Sequence, residues 1–480
     1  MTWPLLRGNA EPDVDRAQSS AGEPLSVLAP ASGGEHGDAT ASGGTSDAKG
    51  LLLRLKGRDG LFGIFSSLTT AQLCGAALGF VYWTLAARIF PSDQVGPAAA
   101  ATSTMLLLGV FGSLGVGTLL VSELPAASPE DRPALMSTGL GVVALASSVL
   151  GLGWSLLAPL LGRSFSAAGG SVATDLVFVL GVTATGVNLA FSYAAIGIRR
   201  QRAQLVQNVL ATGGKVVLVP VVASLGVHSG LGLVTAWTVA LVVSIVLTIP
   251  MLGLHRSRPA RRVGLAARRA LIATHRRAAL HHYLLNLAVG SAGLLLPVIV
   301  ALVLSPQEVA YFSVGRLISM IVLMLPYYLT IALFAVATDE SALRSRVRHT
   351  LAAGLGVNAV IAVVLVPAAP FVLRIFGGAY AAHGTTSFRL LILAGPLLVF
   401  KDHYIAIRRS QARLPRAIRL ATFGVVIESA SAAVGGTLWG LDGFCLCWLG
   451  ALALETLIVM PIVAETAFGW KRRTWAGAWL

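Results

Sequence analysis

Long apolar stretches alternate with short polar connections over most of this chain. Segments such as "LLPVIVALVL" and "VLVPVVASLGV" belong to apolar runs of about 20 residues, the length at which an α-helix crosses a hydrocarbon core. From Leu61 onward the pattern predicts twelve spans, roughly 61–86, 97–120, 134–159, 174–197, 203–226, 230–252, 283–304, 311–336, 350–369, 387–407, 417–438 and 443–465. A soluble helix would carry a polar face at helical spacing, and these segments carry none. The predicted fold class is an all-α polytopic membrane protein.

Composition supports this reading. Charged residues make up 12% and apolar residues 55% of the chain, with a mean hydropathy of +0.77. A soluble surface needs far more charge. The net charge of +15 does not point to nucleic acid, because the basic residues collect in short connections, as in cytoplasmic loops. Cys74, Cys445 and Cys447 lie inside apolar segments and read as small apolar side chains, with no disulfide framework and no metal cluster.

The first sixty residues include "ASGGEHGDATASGGTSDAKG", which has no apolar period and reads as a disordered cytoplasmic tail. The predicted organisation is this tail (1–60), a six-helix half (61–254), a basic cytoplasmic linker (255–282), a second six-helix half (283–466) and a cytoplasmic C-terminal tail (467–480). Lys and Arg set the orientation. They gather before span one (Arg54, Lys56, Arg58) and between spans four and five (Arg199, Arg200, Arg202). More lie in the linker, after span eight (Arg344, Arg346, Arg348), and from Lys401 to Arg419. The opposite connections hold Arg88, Arg163, Arg374 and Arg389, mostly singly. Both termini are therefore expected in the cytoplasm.

The halves carry an internal repeat. "IGIRRQRAQL" (196–205) and "IAIRRSQARL" (405–414) share six of ten positions, 209 residues apart. "ARIFPSDQVG" (87–96) and "ALVLSPQEVA" (301–310) recur at an offset of 214, which sets Gln72 opposite Asn286. Two halves of six spans share one orientation and should be related by an axis along the membrane normal, with a substrate site between them near the midplane. The arginines of the doubled phrase are expected to set topology and meet anionic headgroups.

At this point the sequence resembles a family. "AARIFPSDQVGPAAAATSTMLLLGVFGSLGVGTLLV", "SYAAIGIRRQRAQLVQNVLATGGKVVLVPVVASLG" and "VALVLSPQEVAYFSVGRLISM" are similar to three regions of bacterial polysaccharide flippases: helices one to two, helices four to five, and the start of the second half. The resemblance covers about 61–465. It implies the superfamily that also contains multidrug and toxin exporters and the lipid II flippase. The long tail and Ala310 in place of a second turn glycine depart from the family pattern. Twelve spans, rather than the fourteen expected of the lipid II branch, favour the polysaccharide branch.

A charge at mid-membrane costs about 2.5–3.5 kcal/mol on insertion scales, so it needs a partner or water. Lys215, Glu428 and Glu455 stand near span centres. Lys215 and Glu428 lie on equivalent helices and are candidates to pair in one access state. Arg88 and Arg316, placed near the outer ends of spans one and eight, are candidates to meet a pyrophosphate through bidentate hydrogen bonds, or to snorkel to the interface. Gln72 and Asn286 are candidates to bind sugar hydroxyls or to join helices. Glu428 and Glu455 are the coupling-ion candidates. Pro297 and Pro326 are the hinge candidates, since proline removes a helical hydrogen bond.

The sequence shows no nucleotide loop, metal cluster or hydrolase elbow, so no cofactor and no enzymatic activity are expected. The leading functional expectation is a flippase carrying polyprenyl-pyrophosphate-linked oligosaccharide to the outer leaflet. Its expected partners are membrane lipids and polysaccharide polymerase or glycosyltransferase machinery. The alternatives are an ion-coupled exporter of drugs or small metabolites and a non-transporting scaffold.

Overall fold

The apolar stretches fold as helices. The computed structural model describes residues 75–128, 130–252, 287, 293–334, 340–411 and 414–469, within a unit that runs from Leu61 to Leu480. The first half holds α1 (Gly75–Ile89), α2 (Ser92–Gly112), α3 (Val116–Ala126), α4 (Arg132–Leu157), α5 (Val172–Gly197), α6 (Gln201–Ser224) and α7 (Gly230–Thr248). The second half holds α8 (Gly293–Val303), α9 (Pro306–Phe334), α10 (Glu340–Arg374), α11 (Gly378–Leu393), α12 (Gly395–Ser410) and α13 (Leu414–Phe468). The N-terminal tail, the basic linker and residues 470–480 lie outside the described residues.

Nine helical stretches among the described residues are long and apolar enough to cross a membrane. The helices α1 and α8, described from Gly75 and Gly293 onward, add two. The last comes from α13, whose backbone leaves helical geometry at Trp439 and at Gly440, with φ 65°. It is therefore two spans joined by a sharp turn. Twelve segments result, at the twelve predicted positions.

The boundaries differ where polar residues extend a helix past its apolar centre. The tenth span begins at Gly378 rather than 387, and α10 runs from Glu340 to Arg374 rather than over 350–369. The second span breaks between α2 and α3, where Leu114 (φ 47°) and Gly115 (φ 74°) are left-handed. Glycine takes that conformation freely, whereas leucine is strained in it. Beside the break, small residues bring helices together. A Cβ on Gly112 of α2 or on Gly186 of α5 would lie 2.2 Å from Ser147 Oγ of α4.

Prolines inside spans leave carbonyls without donors, and arginines take two of them. Pro370 cannot donate to Val366 O, and Arg389 Nε of α11 donates there instead at 2.9 Å. Pro297 likewise frees Gly293 O, which receives Arg316 Nη2 from α9. The expectation that Arg389 is only a loop charge is corrected by this contact. No helical break is recorded at Pro297 or Pro326; both helices continue through them.

The duplicated turn has a duplicated job. Gln94 Oε1 accepts the backbone N–H of Gly230 at 3.0 Å, and Glu308 Oε1 accepts that of Leu441 at 3.2 Å. Gln94 and Glu308 are matched positions of the repeat, and each caps the start of the sixth span of its own half. The doubled arginine phrase is less symmetric. Of the matched pair Arg199 and Arg408, Arg199 is exposed, with its backbone left-handed at φ 57°. Arg408 is buried, its guanidinium 5.1 Å from the Tyr404 ring centroid.

The halves meet at the end marked by these turns. There α2 crosses α9 so closely that a Cβ on Gly96 would lie 1.8 Å from Pro306 O. Phe80 packs edge-on against Phe376 at 5.2 Å, and Ser164 Oγ donates to Leu304 O at 3.1 Å. One apolar core, including Val95, Met105, Val309, Phe312 and Phe444, spans both halves here. Toward the opposite end the described residues form separate cores. One holds Leu120, Phe191 and Leu252; the other holds Val347, Tyr404 and Val463.

Gly96→Val forces a side chain into the Pro306 backbone, and overpacking of this kind costs about 3 kcal/mol or more. It is expected to lower the thermal stability of the detergent-solubilised protein sharply. Gly79→Ala, where a Cβ meets nothing within 4 Å, is expected to leave stability unchanged.

Candidate functional site

Among the described residues, a buried lysine marks one cluster deep among the spans of each half. In the first, Lys215 of α6 is 7% exposed, and its Nζ lies 3.3 Å from the centroid of the Trp237 ring on α7. Tyr82 and Trp83 of α1 surround the same indole. Tyr82 meets it edge-on at 5.4 Å and Trp83 at a tilt at 6.4 Å. From Lys215 to the end of α6 at Ser224 the helix rises about 14 Å, which places the ammonium well inside the span. Among the described residues no carboxylate pairs with it.

The second cluster sets one lysine against two carboxylates. Lys401 of α12 lies between Glu428 and Glu455, on the two arms of α13. Its Nζ contacts Glu428 Oε1 directly and stands 2.8 Å from Glu455 Oε2. Trp448 Nε1 donates to Glu428 Oε2 at 2.8 Å. The exposures of Lys401, Glu428 and Glu455 are 9%, 3% and 1%. Gly424 makes room for this arrangement, since a Cβ there would lie 2.6 Å from both Glu455 oxygens. Arg316 is within Coulombic reach of Glu428, and Asp402 of Lys401. Burying ions without partners costs several kcal/mol each, and Lys401 is the shared counter-ion of both carboxylates, although Glu455 Oε1 has no hydrogen-bond partner among the described residues.

The sequence expectations fare differently in this geometry. Lys215 and Glu428 do not pair; each has another partner. Lys401, counted among the basic residues around an inner turn, is instead the buried centre of the second cluster. The apolar span drawn over 387–407 already contained it, and that position was the available signal. Trp237 and Trp448 carried no comparable signal, because contacts between helices are not written in spacing. Arg316 does not sit at the end of its span: from Pro306 it lies about 15 Å along α9. Its guanidinium is half-buried and engaged with Gly293 O.

Arg88, by contrast, does stand at the end of its span. Its Nε donates to Ile375 O at 2.7 Å and its Nη2 to Arg374 O at 2.9 Å. The side chain thus caps the C-terminal end of α10 and ties the first half to the second. Gln72 and Asn286 lie outside the described residues. Among the described residues no group of three His, Cys, Asp or Glu is placed to hold a metal ion.

With this geometry in view, the family can be stated. The family described as "Polysaccharide biosynthesis protein" matches residues 64–337, more than half of the chain, and the protein belongs to it. No curated protein matches significantly. Among solved structures, the chain is similar to the inward-facing conformation of a multidrug resistance MATE family transporter of the MOP superfamily. The TM-score is 0.61 and the identity 16%, over 82% of this chain and 95% of that one. It is also similar to the lipid II flippase MurJ in an inward closed conformation, with TM-score 0.62 and 13% identity, over 82% and 87% of the two chains. An outward-facing MATE structure of the same superfamily gives TM-score 0.53 and 16% identity, over 85% and 96%. The chain therefore has the fold of this superfamily, two pseudo-symmetric six-helix halves in a multi-pass membrane protein.

Truncating Lys401 to Met removes the counter-ion of two buried carboxylates, and breaking a buried pair in this way costs about 3–5 kcal/mol. Lys401→Met is expected to lower folded yield and thermal stability by that order. Lys401→Met with Glu455→Gln is expected to recover part of the loss. A double-mutant cycle on the purified protein measures the coupling.

Proposed function

We propose that this protein carries a polyprenyl-pyrophosphate-linked oligosaccharide from the cytoplasmic to the outer leaflet of the cell membrane by alternating access. Both termini and the basic connections face the cytoplasm in this reading. The observation that carries it is the unequal neutralisation of the two clusters. The second half sets its buried lysine against two carboxylates, whereas among the described residues Lys215 has no carboxylate beside it. A cation in that local setting suits an anionic headgroup. Membership of a polysaccharide biosynthesis family supports the sugar part of the substrate.

In this reading the structure has its outer end closed and its inner end divided, the arrangement in which a headgroup enters from the cytoplasm. Lys215 lines the path, and Gln72 and Asn286 are assigned to sugar binding from the sequence alone. Arg316 reaches it from the second half once Gly293 O is released, which makes Pro297 the hinge and gives Pro326 a supporting part. Arg88 closes the outer seam while the inner end is open. Glu428 and Glu455 serve coupling, with Lys401 as their internal counter-ion.

Export of a drug-like cation fits less well, because both candidate carboxylates already hold Lys401. The scaffold reading draws on the tail and linker, which lie outside the described residues.

Cells lacking the protein are expected to accumulate intact lipid-linked oligosaccharide on the cytoplasmic leaflet, read by leaflet-selective labelling of the sugar. Unchanged pools together with new drug sensitivity would overturn the proposal in favour of an exporter. For the seam, Arg88→Ala is expected to make a cysteine placed at Ile375 more accessible to an impermeant reagent added outside, by several-fold. Unchanged labelling would remove Arg88 from that role.

A further inference from the structure

We infer that Lys215 and Trp237 form one two-part receptor for a glycosyl diphosphate, the ammonium taking the phosphate and the indole face it vacates taking the adjoining sugar ring. The inference rests on the flippase reading and adds which residues recognise the junction between sugar and phosphate.

The energetics of the empty state point this way. An indole face compensates a mid-span ammonium less fully than a charge-assisted hydrogen bond to an anion does. Lys215 is therefore under-compensated where it stands, 7% exposed and 3.3 Å from the Trp237 centroid. Lys401, with two carboxylates, is not. A phosphate oxygen offers Lys215 a charge-assisted hydrogen bond, the stronger of the two interactions. The ammonium rides on a flexible four-carbon stem and needs only a rotamer change to reach it.

The indole, in contrast, is held. Tyr82 meets it edge-on, and Tyr82 in turn is fully buried, donates to Leu233 O at 3.4 Å and packs edge-on against Trp83 at 5.1 Å. When Lys215 swings away, a fixed and electron-rich face is uncovered. The C–H bonds on one face of a pyranose carry partial positive charge and match the quadrupole that the ammonium had faced. Cation and sugar thus occupy the same surface in turn, so phosphate binding and sugar stacking are linked events.

The position suits a transport cycle. Trp83 stands one turn from Phe80, which packs against Phe376 of the second half. Occupancy of the receptor is thereby felt at the seam where the halves meet.

The test is calorimetric binding to the full-length protein in lipid nanodiscs. The probes are a short-chain prenyl diphosphate disaccharide, the same prenyl diphosphate without sugar, the free disaccharide, a soluble nucleotide-diphosphate sugar and inorganic pyrophosphate. The wild type is expected to bind the prenyl diphosphate disaccharide at least tenfold more tightly than the sugar-free prenyl diphosphate, and the free disaccharide not measurably. Binding of the nucleotide sugar and pyrophosphate at least tenfold more weakly marks the lipid-linked source. Equal binding of the nucleotide sugar would overturn that source.

Lys215→Met is expected to lose at least tenfold on both prenyl ligands. Trp237→Leu is expected to lose the sugar increment while binding the sugar-free diphosphate as well as or better than wild type, because the ammonium no longer has a competitor. Trp237→Phe keeps a smaller ring and should fall between them. Equal losses on both ligands in Trp237→Leu and Trp237→Phe, or wild-type affinity in Lys215→Met, would overturn the inference and leave the flippase reading standing. A wild type that binds no diphosphate probe would sink both.

Discussion

The close crossing of α2 and α9 is the constraint from which the rest of the molecule follows. At Gly96 there is no room for a side chain beside the Pro306 carbonyl, so two helices that begin the corresponding stretch of each half touch at their starts. Around that contact one core serves both halves, while farther along the bundle each half packs on its own. A pair of bundles joined at one end and separate at the other has an obvious soft motion, rotation about the join. In the proposed rocking, packed cores that are bistable rather than freely deformable give that motion two end states. The paired caps made by Gln94 and Glu308 tie the first turn of each half to its sixth span.

Charge is distributed over this frame unequally. In the second half a lysine, two glutamates and a tryptophan share one network within the span region. In the first half, among the described residues, the buried ammonium's partner is an aromatic face. The arginines mostly serve the backbone. Arg316 and Arg389 take carbonyls that prolines release, and Arg88 takes the carbonyls that end α10. Such contacts let proline sit inside a membrane helix without leaving a polar group bare. They also make each proline's local geometry depend on a neighbouring helix, which is how a bend in one span can be transmitted to another.

Much of the fold was legible in the sequence because the bilayer imposes a single length on every span. Apolar run length locates the helices, and the two repeated phrases mark the duplication. What was not legible lies between helices. Lys401 looked like one more charge at an inner turn until α13 folded back at Trp439 and Gly440 and brought Glu428 and Glu455 to it. Arg316 looked like an interfacial anion ligand because its α9 was drawn five residues short at the start. The pairing of Lys215 with Glu428 was reasoned from equal depth in equivalent helices. Depth alone does not decide neighbours: in this conformation Trp237 and Lys401 are the partners, and the pairing expected in one access state is not tested by it.

The central claim, that the two halves rock about the Gly96–Pro306 crossing, is tested most directly by paired spin-label distances in reconstituted protein. One pair, at Leu160 and Ile375, reports the joined end, and another, at Ser122 and Ser410, reports the divided end. On addition of the lipid-linked substrate the account predicts that the first distance lengthens while the second shortens. Distances that stay fixed, or that change in the same sense at both ends, would contradict it.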